Sequence, residues 1–145
     1  MLINTVFSTA ICFTPDWLRY GNACFKLFAE RKTWIEAQDS CRSINSNLTS
    51  IHSADENDFV SETGSAFGLS SVWIGLNNLN SADERYEWID GSNLTYTNWH
   101  DGEPNHSGNI ENCTEQSFQA GKWNDLSCDR YHNLSYVCGK RLNLN

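Results

Sequence analysis

The sequence predicts one α+β domain stapled by disulfides, and three observations carry that prediction. The elements read in the order hairpin, helix, helix, strand, long loop, strands, which segregates helices from strands instead of alternating them. Six cysteines, an even number in a chain of 145 residues, point to a fully paired framework and an oxidising, secreted or extracellular setting. Residues 77–101 are rich in Asn, Asp, Ser and Gly, and a loop of that length in a compact domain is usually functional. The length suits one core. Six Trp, five Tyr and seven Phe furnish it, and with only two Pro and no low-complexity run, disorder is excluded.

Charge narrows the partners. A formal net charge of −8 repels nucleic acid and anionic membrane surfaces and favours cations. No apolar run reaches the roughly 20 residues of a spanning helix, so no direct membrane insertion is expected. Residues 1–11 are mildly apolar, lack a basic residue and contain Asn4. They make a poor signal peptide and read as a leader remnant or an extension.

Along the chain, Cys12 and Cys24 bracket a hairpin that turns at Gly21-Asn22, and Phe25 to Phe28 continues as a strand. Thr33-Trp34-Ile35-Glu36 is a capping box. The helix it starts places Trp34, Ala37 and Cys41 inward and Glu36, Gln38 and Arg42 outward. Leu48 to Ile51 reads as a buried connection. Ser53-Ala54-Asp55-Glu56 is a second capping box, opening a helix to about Phe67 that buries Phe59, Val60 and Phe67. His52, just before it, reads as a packing or capping residue. Ser71 to Leu76 is a central strand by its β-branched and aromatic content. Short strands are expected around Tyr86 to Ile89 and Tyr96, then at Cys113 to Phe118, Lys122 to Asn124 and Tyr136 to Lys140.

Within 23 residues the chain gathers Glu103, Asn105, Glu111, Asn124 and Asp125. Hard cations take six to eight oxygen ligands from carboxylates and amide carbonyls, so three carboxylates and two amides suit calcium. Such a cage keeps lone pairs and amide protons free towards solvent, where a ligand with two neighbouring hydroxyls, a sugar, completes the coordination.

Trp73-Ile74-Gly75-Leu76, the six cysteine positions, Glu103-Pro104-Asn105, Glu111-Asn112-Cys113, Trp123-Asn124-Asp125 and Tyr136-Val137-Cys138 together make residues 12–140 resemble the C-type lectin-like domain. Residues 141–145 are left as a tail. The resemblance implies two helices packed on small antiparallel sheets, a long calcium-binding loop, and disulfides Cys12–Cys24, Cys41–Cys138 and Cys113–Cys128. It also implies a cis bond before Pro104. Glu103, Asn105, Glu111, Asn124 and Asp125 match the family's principal calcium site, which also binds sugar. Glu-Pro-Asn goes with mannose-type sugars (mannose, glucose, N-acetylglucosamine, fucose) and Gln-Pro-Asp with galactose types. A calcium-dependent lectin for mannose-type glycans on cell or microbial surfaces is therefore expected, assembled as a homo-oligomer because one pyranose binds weakly. The auxiliary calcium positions correspond to Asn78, Asp83, His106 and Asn112, with Glu84 nearby; few are acidic, and a second site is expected to be weak or absent.

Other readings weigh less. Glu103 and Glu111 resemble a glycosidase pair, and His100, Glu103 and His106 a zinc set. Nothing in the sequence raises the pKa of either carboxylate, and the His spacing fits no metalloenzyme motif, so no catalysis is expected. A lectin-like domain that binds a protein or another non-sugar surface is the stronger alternative. Among the tryptophans, Trp99 and Trp123 flank the cage and read as loop supports. Five Asn-X-Ser/Thr sequons, at Asn47, Asn93, Asn105, Asn112 and Asn133, predict a glycoprotein. A glycan on Asn105 is incompatible with its role as a calcium ligand.

Overall fold

The computed structural model describes residue 12 and residues 14–129 and 132–142. Segment 1–11 and the last three residues of the 141–145 tail lie outside the described residues.

Strands β1 (Leu18–Tyr20) and β2 (Ala23–Lys32) form the expected hairpin, in register Leu18↔Phe25, around Gly21. Gly21 has φ 59°, left-handed backbone that glycine adopts without a Cβ clash. Helix α1 (Trp34–Ser43) begins with the reciprocal capping box of Thr33 and Glu36 and buries Trp34, Ala37 and Cys41. Gln38, expected outward, is only 8% exposed. Its Oε1 accepts the Leu48 N–H and its Nε2 donates to Asn47 Oδ1, both at 2.8 Å. An amide able to serve β3 (Asn47–Leu48) gains more inside than in water.

Helix α2 (Ala54–Ala66) starts on Ser53, whose side chain accepts the Glu56 N–H. The expected box is only half formed: the Glu56 carboxylate turns to the His52 N–H at 2.8 Å and to Arg141. The helix buries Val60, while Phe59 is half-buried against Tyr20 and Phe25. Phe67 corrects the prediction, since it caps the helix and is 62% exposed. The space over the last turn is taken by Phe118, whose ring lies where a Cβ on Gly64 would sit.

The remaining strands are β4 (Ser71–Asn77), β5 (Glu87–Trp88), β6 (Glu111–Ser117), β7 (Trp123–Ser127) and β8 (Leu134–Arg141). Tyr96 lies in no strand. The expected small antiparallel sheets are joined into one, in the order β1-β2-β8-β4-β6-β7, with β3 on β8 and β5 on β4. The join is a short parallel pairing of β4 with β8, Val72↔Ser135 and Trp73↔Tyr136. All three disulfides form as the resemblance implied. Cys41–Cys138 closes a loop of 97 residues, a constraint worth about 4.7 kcal/mol in the chain-entropy account. One core cluster lies around Trp34, Leu48 and Trp73 beside that bond; the other gathers Phe25, Val60, Ile74, Leu76, Trp88 and Trp123. Cys113–Cys128 ties β6 to the end of β7, the pair of strands that carries the upper site.

Candidate metal centre

Strand β7 alternates inward and outward residues, with Trp123, Asp125 and Ser127 buried. Asp125 is thereby a fully buried carboxylate, a state that demands hydrogen bonds or opposite charge. It accepts the Asn105 N–H at 3.1 Å, the His106 N–H at 2.8 Å and the Tyr86 hydroxyl at 3.4 Å. Two successive backbone amides of the loop after Pro104 thus close on one side chain, and the Glu103-Pro104 bond is cis.

The other donors gather around this clamp. Glu103 Oε1 accepts from Asn105 Nδ2 at 3.0 Å. Asn105 Oδ1 and Glu111 Oε1 converge on the Ser107 N–H, at 3.1 and 3.0 Å. Glu103 Oε2 is buried without a hydrogen-bond partner among the described residues. Asn124 stands apart. It pairs across the strands with Glu115, not with Thr114 as Asp125 does, and its amide donates to Glu115 Oε1 at 3.3 Å.

Burial, then the Asp125 and Glu111 charges, push the Glu103 carboxyl up to about 7. Burial also raises Glu111, with Asp125 adding to it. The sequence reading that nothing elevates these carboxyls is corrected: like charges crowd where water is scarce. Tyr86 is likewise pushed up by burial and by Asp125.

Among the described residues, no group of three or more His, Cys, Asp or Glu side chains converges as a metal cluster. Two of the five candidate donors are amides, however, and the chemistry of the set fits a hard cation: carboxylate and amide oxygens, excess negative charge and one orphaned buried oxygen. His100 is exposed with its ring against the Asp101 carbonyl, and His106 lies against Tyr86, 3.7 Å from Glu84 and 3.8 Å from Asp125. Asp83, an auxiliary candidate, is held by Arg85 at 2.8 Å and by Ser81. Asn78 is buried with its Oδ1 unbonded among the described residues, and its backbone N–H donates to the Asn112 carbonyl.

Asn57, which the sequence reading missed, supports the centre from helix α2. Its Oδ1 accepts from Trp123 Nε1 and Gln116 Nε2, both at 2.8 Å, and its Nδ2 donates to the Gly121 carbonyl at 2.9 Å. The Trp123 backbone is pinned by Asn98 and His100. Trp123 is fully buried and Trp99 packs edge-on between it and Tyr86, so both act as supports. The available signal was a polar residue at three-residue spacing from Val60 on the buried face of α2.

His52 is a packing residue: its ring sits between the Ser50 and Ser92 hydroxyls, at 3.0 Å from each. Burial and the charge of Arg141 keep it below its usual pKa.

The model of the Lectin C-type domain family matches residues 30–140. C-type lectin 1 of Hydrophis hardwickii is 43% identical over 124 residues, 81% of this chain and 74% of that protein. The mouse low affinity immunoglobulin epsilon Fc receptor is 36% identical over 138 residues, 95% of this chain and 40% of the receptor. Among solved structures, the cow C-type carbohydrate-recognition domain of CD23, crystallised in the presence of a GlcNAc2Man3 oligosaccharide, superposes with a TM-score of 0.81. It is 32% identical and covers 92% of this chain and 98% of its own. The chain belongs to the C-type lectin domain family.

Proposed function

We propose that this chain is a secreted, calcium-dependent lectin that recognises mannose-type sugars through two neighbouring hydroxyls. The observation that carries the proposal is the clamp of Asp125 on the Asn105 and His106 amides, which holds Glu103 and Asn105 together while leaving Glu103 Oε2 without a partner among the described residues. Glu103, Asn105, Glu111, Asn124 and Asp125 would hold the cation. Bound calcium supplies direct coordination for sugar hydroxyls. The carboxylates of Glu103 and Glu111 accept the hydroxyl protons, and the amides of Asn105 and Asn124 donate back. Placing a carboxylate at 103 and an amide at 105 fixes donor and acceptor directions, and that order favours mannose types over galactose types. The cow domain, solved in the presence of an N-acetylglucosamine and mannose oligosaccharide, supports the same class of ligand.

A single pyranose at about −0.3 kcal/mol per heavy atom binds near millimolar. Useful avidity on a glycan surface therefore calls for a homo-oligomer. A glycan array probed with and without chelator tests the proposal: mannose-type signals that vanish on chelation are expected, and signals that survive chelation sink it. The double variant E103Q/N105D is expected to move preference towards galactose. A second reading, a protein ligand, is favoured by the kinship with an immunoglobulin receptor; calcium binding without any glycan signal would select it.

A further inference from the structure

Five sequons are equivalent as motifs, but the fold treats them differently. Asn47 opens β3 with its Oδ1 already accepting from Gln38, and its Thr49 is buried where a Cβ on Gly139 would collide with it. Asn105 uses both amide atoms, accepting from Ser107 and donating to Glu103. Asn112 lies in β6 beside the disulfide of Cys113, and its Thr114 is fully buried. Asn133 is exposed, but its Ser135 is 6% exposed within β8 and donates its hydroxyl to the Ala29 carbonyl at 2.9 Å.

Asn93-Leu94-Thr95 differs on every count. All three residues are exposed, they lie within residues 91–98, which form no helix or strand, and among the described residues no hydrogen bond engages the side chain of Asn93 or Thr95. The neighbouring Ser92 is fixed through Asp90 and His52, so the sequon is presented from an anchored turn. Leu94 is 39% exposed, one of five large apolar side chains left at the surface among the described residues.

We propose that Asn93 is the N-glycosylation site of this chain and that the other four sequons are left unmodified. A glycan is bulky and must stand in solvent, so the folded chain accommodates it on an irregular exposed segment and not where the acceptor amide or the hydroxyl two residues on is locked into a sheet. The Asn93 amide nitrogen forms a bond to the anomeric carbon of an oligosaccharide carried on a lipid pyrophosphate. The carbon–oxygen bond to the pyrophosphate breaks, with its electron pair leaving on that group, and the amide proton passes to a base of a transferase. No oxidation or reduction takes place. The attached glycan also covers Leu94.

The test is expression of the full chain in a eukaryotic secretory host, followed by enzymatic release of N-glycans in heavy-oxygen water and peptide mass spectrometry. Release leaves an isotopically labelled aspartate at each occupied position. Label at position 93 in most molecules is expected, together with loss of the gel shift in both N93Q and T95A. The second variant keeps Asn93 and removes only the hydroxyl, so its loss separates sequon recognition from any structural role of the asparagine. An unlabelled position 93 overturns the proposal, and so does equal or greater occupancy at Asn47, Asn105, Asn112 or Asn133. Both readouts are independent of lectin activity, so this proposal and the proposed function fail separately.

Discussion

Two carboxylates lie half a domain apart in function and show what the fold does with buried negative charge. Glu56, on α2, is paired twice by the Arg141 guanidinium of β8, with one contact at 2.9 Å, and accepts the His52 N–H. Burial alone would raise its pKa, but Arg141 and that N–H more than offset it and the carboxyl falls below its ordinary value. Glu103 is crowded by Asp125 and Glu111 and pairs with no cationic side chain among the described residues; burial and those charges raise it to about 7. In the lower region, around Glu56, the chain provides its own cation; in the upper one, around Glu103, it assembles the anions and amides of the proposed calcium centre. The first arrangement stabilises the fold without a ligand wherever Glu56 is ionised. The second, on the proposed function, makes stability and recognition depend on a ligand.

The largest expected effect breaks the self-sufficient pair. R141L leaves Glu56 buried without its partner, a loss of about 3 kcal/mol, near the low end for broken buried pairs because Arg141 is partly exposed. Urea unfolding should give the same loss in calcium and in chelator. A loss that appears only in chelator would mean the two regions are not independent. Calcium itself comes next. At a hundredfold excess over Kd, a cation that binds only the folded chain adds about 2.7 kcal/mol, or roughly 10 °C of melting temperature for a domain of this size. An unchanged melting curve on chelation would remove the candidate metal centre.

A smaller effect of opposite sign separates the regions further. E103Q removes charge from the crowded site, so the chelated protein at pH 8 should gain about 1 kcal/mol, modest because the group is partly screened by water. The same change should abolish the stabilisation by calcium. In the lower region the corresponding change, E56Q, should destabilise with or without calcium. If E103Q also destabilises the chelated form, the Glu103–Asn105 hydrogen bond outweighs the charge crowding.

Local chemistry made much of this legible in the sequence. Thr33 and Glu36 lie three residues apart and announce their own helix; Gly21 announces its turn. The five candidate oxygen donors were readable as residue types, and the resemblance implied the cysteine pairs that the structure contains. What stayed hidden depended on partners far along the chain. Gln38 turned inward because Leu48 offers it an N–H, Glu56 left its capping box for an arginine 85 residues away, and Phe67 lost its place over α2 to Phe118. Asn57 reaches Trp123 across 66 residues. The raised pKa of Glu103 was illegible for the same reason, since it arises from the tertiary approach of β7 to the loop.

That pKa gives the smallest effect and the sharpest one. With a folded value of about 7 against an ordinary 4.5, the chelated folded chain keeps a proton on Glu103 between those two pH values, where the unfolded chain has lost it. Its contribution to the stability of the chelated form is therefore fully present below about 4.5 and lost as pH rises through 7. Calcium has the reverse dependence, because it must displace the proton: affinity is full above pH 7 and falls by up to tenfold per pH unit below it. Glu56 is depressed instead, so its stabilisation holds above the ordinary carboxylate range and is lost only as pH falls through its lowered value. Between pH 7 and about 5, the upper site should release calcium and sugar while the lower pair stays intact. Calorimetric calcium titrations from pH 8 to pH 5, run beside urea unfolding in chelator, read the two trends separately. A calcium affinity flat across that range would show that Glu103 is already ionised before the cation arrives, and the contrast between the two carboxylates would then rest on hydrogen bonding alone.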